Sequence, residues 1–220
     1  MKIDATTLTV LKNFAKINPS IVIQEGNTLK TISPSKTIMA KANITTQFDK
    51  RFAIYNLDRF LSTLSLFTDP ELTFNEQNVT VSDANNKKIN YFYADENTVT
   101  KVPEKELSLP RVDVEFNLTT DNLRDVERAL GILSLPDIVI SGDGVKVYLQ
   151  AADTKNPGSD VYSIEIGDTD KNFKVIFKCE NIRVLPGNYK VSICSAPTIS
   201  HFVGESAEYF IAVEKGSTFS

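Results

Sequence analysis

The sequence has few of the residues from which metal and catalytic sites are usually built. Its 220 residues include one histidine, His201, and two cysteines, Cys179 and Cys194, that are not in a Cys-x-x-Cys spacing. Metal sites need several His, Cys, Asp or Glu side chains at ligand spacing, and no such cluster is visible. We therefore predict no metal and no other cofactor. The cysteines are expected to be buried, reduced thiols rather than parts of a disulfide framework.

Motifs of nucleotide-binding enzymes and serine hydrolases are also absent. The glycine pairs Gly142 and Gly144, or Gly187 and Gly204, form neither a phosphate loop nor a dinucleotide-binding fingerprint. No Gly-x-Ser-x-Gly pattern surrounds any serine. His201 lies in a polar, turn-like context that is typical of a solvated loop residue rather than a general base. The sequence therefore predicts that the protein is not an enzyme.

Long apolar runs and a basic surplus are missing as well. Nothing approaches the ~20 apolar residues of a membrane span, and no apolar run of signal-peptide length begins the sequence, so a cytosolic protein is expected. There are 24 Lys and Arg against 28 Asp and Glu, a net charge of −4. Taken whole, this charge argues against an ordinary nucleic-acid binder. Any role on DNA would need basic residues segregated onto one surface.

What the sequence does contain is an amphipathic helix that occurs twice. In residues 6–18, a period of about 100° per residue places apolar residues on one side and polar residues opposite. The apolar side has Leu8, Leu11, Phe14 and Ala15, and the polar side has Thr9, Lys12, Asn13 and Lys16. Residues 119–133 repeat the pattern, and a strand, a glycine-containing turn and a second strand follow each copy. An internal duplication, with two domains of about 110 residues, is the simplest interpretation.

A second helix is predicted in each half. Asn56 is a good N-cap for an amphipathic stretch over residues 57–67, and residues 179–185 occupy the matching place in the second half. Two short helices per half among many short strands indicate an α+β fold. We predict domains at residues 1–100 and 112–220. They are joined by a connector, residues 101–111, that contains Pro103 and Pro110.

Four stretches in this order carry a resemblance to a known family. They are Leu11–Asn18, Ala53–Leu61 with its continuation to Leu66, Pro186–Lys190 and the strand Glu208–Val213. The chain resembles the DNA polymerase sliding clamp of T4-type bacteriophages, a processivity factor of viral DNA replication. The resemblance implies two clamp-type domains per chain, with helices inside and antiparallel sheets outside. It also implies a head-to-tail homotrimer that closes into a ring.

The resemblance implies which residues would face DNA. These are the basic residues at matching helix positions, namely Lys12, Lys16, Arg59, Arg124, Arg128 and Arg183. From periodicity alone they would be ordinary solvated helix faces, and nearby Asp58, Asp121, Asp125 and Glu127 make the net field modest. A clamp needs only weak, sequence-independent phosphate contacts, because it is held on the duplex by topology.

The resemblance also implies partners. An apolar groove near the connector would bind the C-terminal peptide of the replicative polymerase, and an ATP-driven clamp loader would place the ring on DNA. The groove residues would be Val102, Leu107, Leu109, Pro110, Phe210 and Val213. Late-transcription factors are a partner class that stays open. The expected location is the cytoplasm of the infected bacterial host. The alternatives are a structural or assembly protein of duplicated β-rich domains, or a monomeric non-specific DNA-binding module.

Overall fold

The computed structural model describes residues 1–219 and shows two compact units. They comprise Met1–Lys105 and Glu106–Ser220. The change from one unit to the next falls between Lys105 and Glu106, within the segment 101–111 that the sequence marks as a connector.

The first unit contains two α-helices and three groups of short antiparallel strands. Its elements are α1 (Ala5–Ile17), β1 (Ile21–Ile23), β2 (Gly26–Ile32), β3 (Ile38–Phe48), β4 (Phe52–Ile54), α2 (Leu57–Leu64), β5 (Glu71–Phe74), β6 (Asn78–Ser82) and β7 (Lys88–Phe92), with a 3-10 turn at Glu96–Thr98. Strand β1 pairs with β4, β2 pairs with β3, and β5, β6 and β7 form a meander. The sequence pattern, a strand, a glycine-containing turn and a second strand, predicts that β1 and β2 pair as a hairpin; this is wrong, because the partner of β1 is β4.

The core of the first unit lies between the helices and the long strand β3. Helix α1 packs against both β3 and α2. Leu11 and Phe14 of α1 and Phe60 of α2 are fully buried. Burial of such side chains contributes about 1.5–3 kcal/mol each relative to exposure. Tertiary packing of the apolar faces therefore supports helices that are too short to be stable alone.

The second unit has one α-helix and nine strands. Its elements are β8 (Val114–Leu118), α3 (Thr120–Leu133), β9 (Asp137–Asp143), β10 (Lys146–Ala152), β11 (Tyr162–Asp168), β12 (Asn172–Lys178), β13 (Tyr189–Ser195), β14 (Thr198–Val203), β15 (Ala207–Ala212) and β16 (Thr218–Phe219), with a 3-10 turn at Cys179–Asn181. One sheet has the strand order β11-β10-β9-β12-β16, and β8, β13, β14 and β15 are neighbours in a second. All these pairings are antiparallel. Helix α3 packs on β10 and β11.

The prediction of a second helix in the second unit is wrong. A three-residue 3-10 turn, Cys179–Asn181, stands in its place, and residues 182–188 have no regular structure. No side chain caps the turn. The β-branched Ile182 and Val184 lower helix propensity, and Pro186 with Gly187 stops any continuation. The prediction that His201 lies in a solvated loop is also wrong, because His201 is in the middle of strand β14.

The two cysteines differ in burial. Cys194 is buried and Cys179 is half-buried, and both are free thiols. The prediction that both cysteines are buried is confirmed for Cys194 only. Within residues 1–219, no helix has the length and apolar character needed to cross a membrane.

Candidate functional site

Helix α1 begins at a side-chain cap and exposes two lysines. The Asp4 carboxylate accepts hydrogen bonds from the Thr7 amide (2.9 Å) and hydroxyl (2.7 Å), and the Thr46 hydroxyl also donates to it. This satisfies an amide that has no partner within the helix. Burial raises the pKa of Asp4, but the hydrogen bonds outweigh burial and hold the pKa far below its usual value. Lys12 and Lys16 lie exposed on the side away from the core.

The buried side of α1 is wider than the sequence pattern indicates. Asn13, predicted among the polar residues, is buried, and so is Thr7 in the first turn. Helix α1 contacts β3, α2 and β2, so more than one neighbour covers it. The exposed face is consequently a narrow strip on which the lysines dominate.

Helix α2 presents Arg59. The Asn56 side chain accepts a hydrogen bond from the Arg59 amide at 2.8 Å, which confirms the predicted N-cap. Phe60 is fully buried, and its ring packs edge-on against Tyr91 with 5.2 Å between ring centroids. Arg59 is exposed beside Asp58 and forms no ion pair within residues 1–219. Its guanidinium therefore remains available to an external anion.

Helix α3 begins with a capping box. The Thr119 hydroxyl accepts from the Asn122 amide at 3.1 Å, and the Asn122 side chain accepts from the Thr119 amide at 3.0 Å. Asn188 also accepts from the Thr120 amide at 2.9 Å, so the turn before β13 helps to fix the start of the helix. The buried side carries Leu123, Val126, Ala129 and Leu130.

The two arginines of α3 differ in their surroundings. Arg124 pairs with Asp121 at 2.9 Å and lies 3.8 Å from Asp125, both between side-chain nitrogen and oxygen. Arg128 is exposed and has no ion pair in the described part of the chain. It borders a cavity of about 400 Å³ lined also by Asp125, Ala129, Ile132, Leu133 and Tyr162. Arg128 is thus the less neutralised of the two.

Arg183 lies on irregular backbone rather than on a helix. It is exposed, and its Nε donates to the carbonyl of Glu180 at 2.7 Å. Two buried tyrosines hold the backbone that follows it. The Leu185 amide donates to the Tyr209 hydroxyl at 3.1 Å, and the Tyr189 hydroxyl donates to the Leu185 carbonyl at 2.6 Å. Arg183 therefore belongs to a loop that is fixed by side chains.

The six predicted groove residues differ in how exposed they are. Val102 lies in the first unit and is half-buried, and the other five lie in the second unit. Leu107 is 42% exposed, Pro110 is exposed and Leu109 is half-buried. Phe210 and Val213 are buried. Leu107 and Pro110 can therefore contact a ligand directly, whereas Phe210 and Val213 present little surface to one.

His201 covers Phe210. The two rings are stacked with centroids 4.0 Å apart and planes 5° from parallel, and His201 Nε2 lies 2.8 Å from a Glu208 carboxylate oxygen. Antiparallel pairing places His201 of β14 directly opposite Phe210 of β15. Sequence reasoning missed this contact because the strand pairing that creates it is not local. Within residues 1–219, no group of three or more His, Cys, Asp or Glu is placed to hold a metal ion.

Two unpaired strand edges were not predicted as a site. Strand β7 ends the three-stranded sheet of the first unit, and β11 ends the five-stranded sheet of the second. Both carry apolar side chains that are not fully covered. On β7, Phe92 is 67% exposed and Ile89 is 37% exposed. Beside β11, Val161 and the α3 residue Ile132 are exposed. The signal in the sequence is the placement of apolar residues on both faces of one short strand.

Comparison with known proteins follows the same division into two halves. Residues 2–100 match the DNA polymerase processivity factor family, and residues 115–215 match the gp45 sliding clamp, C-terminal family. The sliding clamp of Vibrio phage KVP40 is 37% identical over 97% of this chain and 99% of that protein. The sliding clamp of Enterobacteria phage T4 is 31% identical over 99% of each.

Solved structures show the same fold at much lower sequence identity. The PCNA2–PCNA3 complex from Sulfolobus tokodaii superimposes with a TM-score of 0.70 at 14% identity, over 97% of this chain and 98% of that chain. The antiparallel sheets and few helices of the two units agree with this likeness. On the family matches and the phage relatives, the chain belongs to the sliding clamp family of DNA polymerase processivity factors.

Proposed function

We propose that three copies of this chain close head-to-tail into a ring around duplex DNA and tether the replicative DNA polymerase to its template. The observation that carries this proposal is the placement of exposed basic side chains on α1, α2 and α3 in a chain of net charge −4. These residues are Lys12, Lys16, Arg59, Arg124 and Arg128, with Arg183 on the loop that replaces a fourth helix. They would face the duplex.

Weak phosphate contacts suit this role. Lys and Arg contact phosphates without reading bases, so the ring would slide along any sequence. Arg124 is already paired with Asp121, and Asp58 lies beside Arg59, so the attraction is moderate. Retention would then depend on topology rather than on affinity. The protein would be an accessory factor, with ATP hydrolysis left to the clamp loader.

The unpaired edges of β7 and β11 are the surfaces through which copies would join. An unpaired strand presents a row of free backbone amides and carbonyls that another strand can extend. Pairing β7 of one protomer with β11 of the next would satisfy both rows and would reduce the exposure of Ile89 and Phe92, which lie on opposite faces of β7. Such an interface uses two different surfaces, so it closes only when the rotation completes a ring.

Partner binding would use the connector. Leu107, Leu109 and Pro110 form a short apolar segment on which the C-terminal peptide of the polymerase, and a peptide of the clamp loader, would dock in turn. Buried Phe210 would support it. The place of action would be replicating DNA in the cytoplasm of the infected host, and late-transcription factors would be further users of the same segment.

The oligomeric mass of an edge variant tests the ring. Ile89→Lys places a charge in the open edge of β7 and should convert the trimer to monomers in sedimentation equilibrium while the fold is retained. Val145→Lys is the matched control, because Val145 is exposed in the turn between β9 and β10. A wild-type protein that is monomeric throughout would favour the DNA-binding module instead. A trimer that survives Ile89→Lys would show that the interface lies elsewhere.

A further inference from the structure

The two sheets that carry the open edges β7 and β11 are closed at their opposite edges. In the first unit the opposite edge is β5, and in the second it is the side of β12 that faces away from β9. Short segments from the two extremes of the sequence, residues 1–2 and residues 214–219, lie along these edges. We call them the edge segments.

The first edge segment makes a reciprocal pair with β5. The Met1 nitrogen donates to the Leu72 carbonyl at 2.7 Å, and the Leu72 amide donates to the Met1 carbonyl at 2.7 Å. Lys2 forms an ion pair with Asp69 and has its Nζ 3.8 Å from a Glu71 carboxylate oxygen. The centre of β5 therefore has no free backbone group at Leu72 for another chain.

The second edge segment lies along β12 from Phe173 to Ile176. Strand β16 pairs Thr218 with Lys174 and Phe219 with Phe173. Further along, the Glu214 amide donates to the Ile176 carbonyl at 2.8 Å, and the Ile176 amide donates to the Ser217 hydroxyl at 3.0 Å. A turn links the two sets of bonds, closed by the Ser217 amide on the Glu214 carbonyl at 3.3 Å.

We propose that the edge segments direct assembly by leaving each of these two sheets one edge that can accept a second copy of this chain. The inference rests on the proposed ring. With β5 and β12 covered, these two sheets can be extended only at β7 and β11. Pairing of these two different edges is a heterologous contact of the kind that forms a ring when its rotation closes. An additional open edge would allow a copy to attach sideways, as unprotected edges do in aggregating proteins.

Removal of the second edge segment tests the proposal. A variant that lacks residues 216–220 and a milder variant, Thr218→Pro, both release β12. Ser108→Pro is the matched control, because Ser108 is an exposed connector residue with no regular structure. Each change is made in the wild-type chain and in Ile89→Lys. Mass is followed by sedimentation over a range of concentrations, and the fold is followed by far-UV circular dichroism.

We expect both release variants to form species heavier than the wild-type oligomer, with a mass that rises with concentration, while Ser108→Pro matches the wild type. The heavier species should persist in the Ile89→Lys background, since they arise at β12. A wild-type protein that is monomeric would contradict the proposed ring but not the role of the edge segments. Folded release variants that keep the wild-type mass would overturn the proposal. Loss of the fold in both would also overturn it, because the segment would then be part of the core.

Discussion

The second helical position distinguishes the two units. In the first unit, Asn56 caps an eight-residue helix whose Leu57, Phe60 and Leu64 are buried. In the second unit the same place holds a three-residue 3-10 turn, Cys179–Asn181, and an irregular loop. At this position the first unit is therefore specified locally, by a cap and an apolar stripe. The second unit is specified there by contacts with distant strands.

Two tyrosines take over the role that helical hydrogen bonds have in the first unit. Tyr189 and Tyr209, on β13 and β15, bond the carbonyl and the amide of Leu185. The backbone of the loop is therefore satisfied without a helix, as buried polar groups require. In the second unit, side chains from a neighbouring sheet thus satisfy backbone groups at a place where the first unit has a helix.

The largest expected effect comes from breaking α2. Phe60→Ala should lower the free energy of unfolding by about 3–5 kcal/mol, because it empties a fully buried aromatic position. Ile182→Ala, at the corresponding place in the second unit, should cost less because the isoleucine side chain is smaller and its removal leaves a smaller cavity. Urea denaturation measures both. Ser62→Ala, on the exposed face of α2, is the control. Equal losses at positions 60 and 182 would remove the distinction between the units.

The tyrosine contacts provide the next test. Tyr209→Phe removes the acceptor of the Leu185 amide and should cost about 1–2 kcal/mol. Burial raises the pKa of Tyr209 to about 12, although the hydrogen bond from Leu185 opposes the rise. The folded pKa lies above the unfolded value, so this contribution to stability is complete below pH 10 and is lost as the pH rises toward 12.

Denaturation at pH 8 and at pH 11 measures that contribution. The phenylalanine variant should lose less stability between the two pH values than the wild type. Tyr55→Phe is a suitable control, since Tyr55 is 66% exposed. An unchanged stability of Tyr209→Phe at pH 8 would mean that the hydroxyl does not hold the loop.

Binding of a partner peptide should depend on the connector residues and not on exposed apolar residues of the first unit. Leu107→Ala combined with Leu109→Ala should weaken binding of a polymerase C-terminal peptide about tenfold, because apolar anchors contribute more than 1 kcal/mol at such sites. Leu66→Ala, on an exposed apolar residue of the first unit, should leave it unchanged. Fluorescence anisotropy with a labelled peptide reports the affinity. Undiminished binding to the double variant would contradict the placement of the groove.

The smallest effects are expected from substitutions of the exposed basic residues on the helices of the two units. Lys12→Ala and Arg128→Ala should each reduce the slope of log affinity against log salt by about 1 on short duplex DNA. Arg124→Ala should change it less, because Arg124 is already paired with Asp121. All three should keep the oligomeric mass. Dissociation of the oligomer would place these residues at an interface between copies instead of near DNA.

Sequence patterns predicted the helices wherever a cap and an apolar stripe coincided. Asp4, which caps α1 by accepting from the Thr7 amide, was not identified from the sequence. Asn56 forms the capping bond expected of it before α2, whereas Thr119, predicted as part of the helical stretch, is the cap of α3. The exposed positions of Lys12 and Arg128 follow directly from the helical period.

Features that depend on strand pairing could not be predicted. The stack of His201 on Phe210 requires the register of β14 with β15. The burial of Asn13 depends on the distant elements that pack around α1, which include the strands β2 and β3. The open edges of β7 and β11 follow from the order of strands in each sheet, which short-range patterns do not contain. Local chemistry thus identified the helix faces, and only the fold identified the edges.

Retention on circular DNA tests encirclement most directly. The protein is loaded onto nicked circles by its cognate loader with ATP, and its release is compared with release after the circle is cut. Encirclement predicts a protein that stays on the intact circle through gel filtration at elevated salt and leaves when an end is created. Equal, salt-sensitive loss from circular and linear DNA would contradict the account.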